Sequence, residues 1–192
     1  TNAWWSGPGS LTVTFCYPAV EPALTPLLPL AAGLAVRQVA AEMSGNLTIA
    51  LKWPNDVLLS GRKLAGILCE RVRDVDLVGI GLNVNCRTAD LPPELRASGA
   101  CLADGREPLD LDAVLIALTR ALETWRMRLG RPELIDTYNH HHALTGHVVQ
   151  VTSPGESALI GRCEGVGSDG RLLVRTPAGL QQILSGQVRL AE

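Results

Sequence analysis

Lys52-Trp53-Pro54-Asn55-Asp56, followed by Val57-Leu58-Leu59, Ser60-Gly61, Arg62-Lys63 and Leu64-Ala65-Gly66-Ile67-Leu68-Cys69-Glu70, is the stretch from which the rest of the chain is read. Leu47 to Leu51 is an apolar, partly β-branched strand that delivers Lys52 at its end. Val57–Leu59 and Leu64–Glu70 flank the Ser60-Gly61-Arg62-Lys63 segment as a hairpin. A lysine on an interior strand end is costly to bury without an anionic partner. Asp56 could be that partner in a purely structural ion pair. The company of Asn55, the fixed Pro54 and nearby glycines points instead to an anionic ligand at Lys52.

Upstream, Thr1 to Gly9 reads as loop, and Leu11–Phe15 as a strand after a Gly-Ser break. Trp4-Trp5 has two readings, a lid on the core or a stacking surface for a planar ligand. A helix is predicted from Thr25, as N-cap, with Pro26 at its first position, to about Met43, where Ser44-Gly45-Asn46 stops it. Downstream, Val75–Gly81 is a further strand that ends in Leu82-Asn83-Val84-Asn85. Strands joined by short turns predict an α+β fold, a mixed, largely antiparallel sheet packed on helices. Arg87 to Asp110 reads as a long surface connection, followed by helices at Leu111–Leu129 and Pro132–His142. The texture then changes to five short strands, His147–Thr152, Leu159–Glu164, Leu172–Arg175, Gln181–Leu184 and Val188–Leu190. They predict a small barrel, with domains at 1–143 and 144–192.

Composition limits what the chain can be. A hydrophobic share of 46% with 19% charged residues is that of a chain that folds. A formal net charge of -2, with no Lys/Arg run, removes the electrostatic case for a nucleic-acid partner. Leu24 to Val36 is broken by Pro26, Pro29 and Gly33 and falls short of the roughly 18 residues a span needs, so neither a membrane helix nor a signal peptide is expected. Five widely spaced cysteines without a Cys-x-x-Cys pair suit reduced thiols in the cytoplasm.

Other candidate motifs have simpler explanations. Gly79-Ile80-Gly81 lacks the third glycine, the following helix and the acidic residue of a dinucleotide site. His140-His141-His142 cannot share one helical face as metal ligands, so a solvated helix end is expected and no metal site is assigned. Cys69 reads as a small buried hydrophobe.

Lys-Trp-Pro-Asn-Asp-Val, Arg-Lys-Leu-Ala-Gly-Ile-Leu-x-Glu and Gly-Ile-Gly-Leu-Asn-Val-Asn, in this order, closely resemble the core of biotin protein ligases. The resemblance extends from Trp4-x-Ser6 to the final strands with Gly165-x-x-x-Asp169-Gly170-x-Leu172-Leu173. It implies the class II synthetase-like biotin/lipoate ligase fold, followed by an SH3-like barrel. It also implies activation of biotin by ATP, with Mg2+, to biotinyl-5′-AMP, and transfer to a lysine of a biotin carboxyl carrier domain. A homodimer is compatible with it. By the same resemblance Lys52 is the catalytic lysine and touches biotin, while Gly66, Ile67 and Leu68 wall the biotin pocket. Trp4, Asn55, Asp56 and Asn83 would serve the nucleotide.

The departures from the family pattern carry expectations too. A Ser-Thr pair, a glutamine and a Gly-Arg-Gly loop precede the first strand in the family and are not found here, so poor formation of the adenylate by these 192 residues is expected. Gly186-Gln187-Val188-Arg189-Leu190-Ala191 replaces the family's closing motif, and no helix-turn-helix, hence no repressor activity, is expected. Two alternatives stay open: a binding module without turnover, and a ligase of the same fold for lipoate.

Overall fold

The computed structural model describes residues 6–45, 48–153 and 157–191. The first sheet contains β1 (Ser10–Pro18), β2 (Ile49–Lys52), β3 (Asp56–Leu59), β4 (Arg62–Val72) and β5 (Val75–Asn83), in the order β1-β5-β4-β3-β2. Every neighbouring pair is antiparallel, in keeping with the expected largely antiparallel sheet on helices, and among the described residues parallel pairing is confined to isolated bridges at Leu51–His142 and Lys63–Gly99. Short turns join β2, β3, β4 and β5 in succession, while β1 and β2, at opposite edges of the sheet, are joined by a longer connection that carries a helix. Ser60 and Gly61 both have positive φ, 49° and 78°, which fits the right-handed twist of the β3–β4 hairpin.

Strand alternation gives the sheet two unlike faces. Ile67 stands opposite Ile80, which stands opposite Val13, and this row faces the core. One residue along, Asp56, Gly66, Gly81 and Thr12 form a row on the other face. The core face is covered by α1 (Leu28–Ser44), which in turn packs on α2 (Leu111–Arg126). At Gly33 α1 lies over β2 and β4, where an added Cβ would make ordinary contact with Leu51 Cδ2 at 3.4 Å.

The predicted helix start is corrected. Pro22–Leu27 forms a 3-10 helix, and the α-helix begins at Leu28 with Leu27, not Thr25, as N-cap. Pro26 interrupts α-helical hydrogen bonding, whereas Pro29 falls in the first turn of α1, where its missing N–H costs nothing. Pro22–Ser44 as a unit is long and apolar enough by composition to cross a membrane, contrary to expectation, but here it is the buried core helix.

Residues 87–110 do not simply run over the surface. Leu91, Ala100, Cys101 and Leu102 are buried, and Cys86 and Cys101 form a disulfide, which corrects the expectation of reduced thiols for this pair. The pairing joins cysteines 15 residues apart and has no local signature. Residues 98–100 lie alongside Lys63, whose amide donates to Ser98 O at 2.7 Å and whose carbonyl accepts from Ala100 N at 2.8 Å.

After α3 (Pro132–His140) comes a second antiparallel sheet: β6 (Val148–Thr152), β7 (Leu159–Val166), β8 (Leu172–Thr176), β9 (Gly179–Ile183) and β10 (Gln187–Leu190), in the order β10-β6-β7-β8-β9. Its inward residues Val149, Val151, Cys163, Leu172 and Val174 belong to the same buried cluster as Trp53 and Leu51. Asn139 fastens α3 to this sheet, donating to Val166 O at 2.9 Å and accepting from Val166 N at 2.7 Å.

Candidate active site

The β2–β3 turn is built from backbone needs outward. Leu51 is paired on the outer edge of β2, where its N–H donates to His141 O and its carbonyl accepts from Ala143 N, both at 2.8 Å. Two residues on, the buried Trp53 N–H donates to Nε2 of His142 at 3.3 Å, and the indole Nε1 donates to Gly170 O at 3.0 Å. The Trp53–Pro54 peptide is cis. Asn55 then closes the turn onto β4, with its Nδ2 donating to Ile67 O at 2.7 Å and its carbonyl accepting from Ile67 N at 2.9 Å. The indole and the amide thus hold the turn, and Lys52 projects from it beside a cleft.

That cleft has a volume of about 700 Å³ and lies between the second face of the first sheet and β10. Gly66, Gly79 and Gly81 form a floor without side chains, bordered by Thr12 and Thr14. Leu68, 61% exposed, adds an apolar surface. Lys52, Asp56 and Lys63 line one side, and Gln187 and Arg189 come from the second sheet. Three cations against one carboxylate give the cleft a positive character beside a flat, apolar floor. Such a site suits a ligand with an anionic centre and an uncharged ring or chain.

The cross-strand Lys52–Asp56 ion pair does not form. The two residues stand opposite each other in the ladder, but Asp56 is paired with Lys63, and a register shift in β3 falls between them at Val57/Leu58. No ion pair involving Lys52 occurs among the described residues. Its ammonium remains available to a ligand.

The histidine run is likewise not a uniformly solvated helix end. His142 is 7% exposed, and burial pushes its imidazole pKa down to about 4. Because Nε2 accepts from Trp53, the proton sits on Nδ1, which donates to Thr145 Oγ1 at 3.0 Å. Burial, then Arg37 and His140, push His141 down to about 4 as well.

Of the residues singled out in the sequence, Lys52, Asn55, Asp56, Gly66, Ile67 and Leu68 meet around the cleft. Ile67 does so through its backbone, because its side chain is in the core. Asn83 is not among the lining residues: it is buried and donates to Ala100 O at 3.1 Å, holding the segment after the disulfide loop. Trp4 lies outside the described residues. The sequence reading passed over Lys63, Arg189 and His142 as site residues. Lys63 had a signal, a lysine opening an otherwise apolar strand on the same hairpin; for His142 there was none.

Residues 1–86 match the biotin/lipoate A/B protein ligase family. The biotin–[acetyl-CoA-carboxylase] ligase of Mycobacterium tuberculosis is 33% identical over 168 residues, 84% of this chain and 61% of that protein. The bifunctional ligase/repressor BirA of Bacillus subtilis is 30% identical over 177 residues, 86% of this chain and 53% of that protein. The chain thus spans between about half and three-fifths of the length of these curated relatives. Among solved structures, the biotin protein ligase from Aquifex aeolicus in complex with biotin and ATP superposes with a TM-score of 0.85 at 28% identity, over 98% of this chain and 82% of that one.

Proposed function

We propose that this chain, whose residues 1–86 match the biotin/lipoate A/B protein ligase family, is a ligase of that family whose cleft takes biotin and ATP and serves biotinylation of a carrier-protein lysine. A carboxylate oxygen of biotin attacks the α-phosphorus of ATP; the bond from that phosphorus to the bridging oxygen breaks, and pyrophosphate leaves. The carrier amine then attacks the carbonyl carbon of biotinyl-5′-AMP, AMP departs with the bridging oxygen, and the amine loses a proton. Both steps gather negative charge on phosphate and carbonyl oxygens.

The observation that carries this reading is the placement of Lys52 and Lys63 together at the edge of the glycine floor. Two ammonium groups there can stabilise the growing charge, while the flat floor and Leu68 accept the ring system. Asp56 holds Lys63 in place, and Asn55 fixes the strand end beneath the ligand. Arg189 adds a cation from the opposite side. Magnesium would come with the nucleotide. Among the described residues no group of three or more His, Cys, Asp or Glu side chains is arranged to hold an ion, and Asp56 is already engaged by Lys63.

The exposure of Leu68 leaves the cleft accessible to water, which supports slow net turnover by these 192 residues. Fast biotin-dependent pyrophosphate release by the purified chain would remove that part of the proposal. The whole reading is tested by offering a carrier domain both biotin and lipoate with ATP and magnesium, and weighing the product. A biotinyl mass increment, accumulating slowly and only with ATP, is expected. A lipoyl increment, or none with either acid, overturns the assignment.

A further inference from the structure

The turn that presents Lys52 is set by a residue from the far end of the catalytic fold. We propose that His142 is a positioning residue: by accepting the Trp53 amide, it fixes where the Lys52 ammonium stands beside the cleft. This rests on the ligase reading for the reaction it serves.

Ladder pairing on the outer edge of β2 stops at Leu51, whose amide and carbonyl are both taken by residues 141–143. The Trp53 amide points to the same side and is buried, so without a partner it would carry the full penalty of an unsatisfied donor. The imidazole of His142 stands where the next strand carbonyl would be. Its ring is held in turn by the Nδ1–Thr145 hydrogen bond and by Tyr138, whose ring centroid is 5.6 Å away. A side chain fixed on two sides is a rigid acceptor, whereas a water in its place would let the turn shift. The indole of the same residue is fixed by Gly170 O, so Trp53 is gripped at both ends of its structure by groups outside the first sheet. Lys52 precedes Trp53 directly, so its backbone carbonyl carbon is bonded to the nitrogen that His142 holds.

His142→Gln keeps an acceptor at the position of Nε2, while His142→Leu keeps bulk and loses it. The two variants are compared by the hydrogen-exchange protection of the Trp53 amide and by the affinity for a non-hydrolysable sulfamoyl analogue of biotinyl-5′-AMP. His142→Leu is expected to lose amide protection and about tenfold in affinity, and His142→Gln to keep protection and stay within about threefold of wild type. Equal affinity of wild type and His142→Leu overturns the proposal, as does equal impairment of both variants. A merely structural role would lower thermal stability in both and leave affinity in the folded fraction unchanged. Should His142→Leu fail to fold, Thr145→Val serves, since it releases the ring without removing the acceptor. A loss of about threefold in affinity is expected there, and no loss overturns the proposal. Failure of the wild type to bind the analogue, with the Trp53 amide protected, would bring down the ligase reading instead.

Discussion

Asp56 with Lys63, at the cleft end of β4, and Asp76 with Arg71, toward its other end, are the same chemistry in two settings. Asp76 is 1% exposed and is saturated: it accepts from Arg71 Nε at 2.6 Å, from an Arg71 terminal nitrogen at 2.9 Å and from Val20 N at 2.8 Å. Arg71 also donates to Val20 O, so the pair ties the β4–β5 hairpin to the segment after β1. Asp56 is 21% exposed, Lys63 is 41% exposed, and Asp56 Oδ1 touches the ammonium without a directed hydrogen bond. A pair that holds the fold together satisfies its polar atoms internally. The pair beside the cleft is instead the more exposed of the two and lines the space a ligand would fill.

The comparison breaks most readily at the two cations. Lys63→Ala should weaken binding of the biotinyl-adenylate analogue about a hundredfold, as loss of a charge contact at a reacting centre typically does, while the melting temperature moves by no more than about 2 °C. Titration calorimetry and a thermal melt read both. Arg71→Ala should do the opposite, with a fall of roughly 5 °C in melting temperature and analogue affinity within about twofold of wild type. If the two variants changed affinity alike, the division of labour between the pairs would be wrong.

Acid separates the regions by pH window. The Arg71 hydrogen bonds hold the Asp76 carboxyl below the usual carboxylate range, so its contribution is intact above the ordinary aspartate pKa and is lost only as pH falls below it. His142 works in a higher window. It is neutral in the folded protein down to about pH 4 and takes a proton near 6.5 once unfolded, so the unfolded state binds the extra proton in between. Stability should therefore fall from about pH 6.5 toward 4, by up to about 1.4 kcal/mol per pH unit for His142. His141 shares that window. Denaturant titrations across pH should show a shallower slope in His142→Gln, whereas Asp76→Asn should lower stability at every pH above about 4 and flatten only the acid limb below it. The smallest effect belongs to Asn139→Ala, which removes two hydrogen bonds to Val166 and should lower the melting temperature by roughly 3 °C without changing affinity.

The hairpin that carries Lys63 and the strand that ends in Lys52 were legible because alternation, the Ser60-Gly61 turn and the apolar run all point one way. The five strands after residue 147 were legible from their turn clusters, with bounds shifted by one or two residues. What escaped was whatever depends on distant partners. That Asp56 faces Lys63 rather than Lys52 is set by a register shift, which no local pattern announces. His142 looked like surface because three histidines in a row look polar, yet one of them turns inward to serve a backbone amide 89 residues away. Cys86 and Cys101 likewise meet only because residues 98–100 fold back along β4. Asn83 donates its amide to the Ala100 carbonyl, a partner that its own stretch of sequence does not name.

The central claim is that Lys52 and Lys63 together hold the anionic centre of an acyl-adenylate over the glycine floor. Calorimetric titration of the sulfamoyl analogue into wild type and into the Lys52→Ala/Lys63→Ala double variant tests it most directly. The account predicts saturable binding to wild type and a loss of at least about a thousandfold in the folded double variant. Binding of equal strength to both proteins would contradict it.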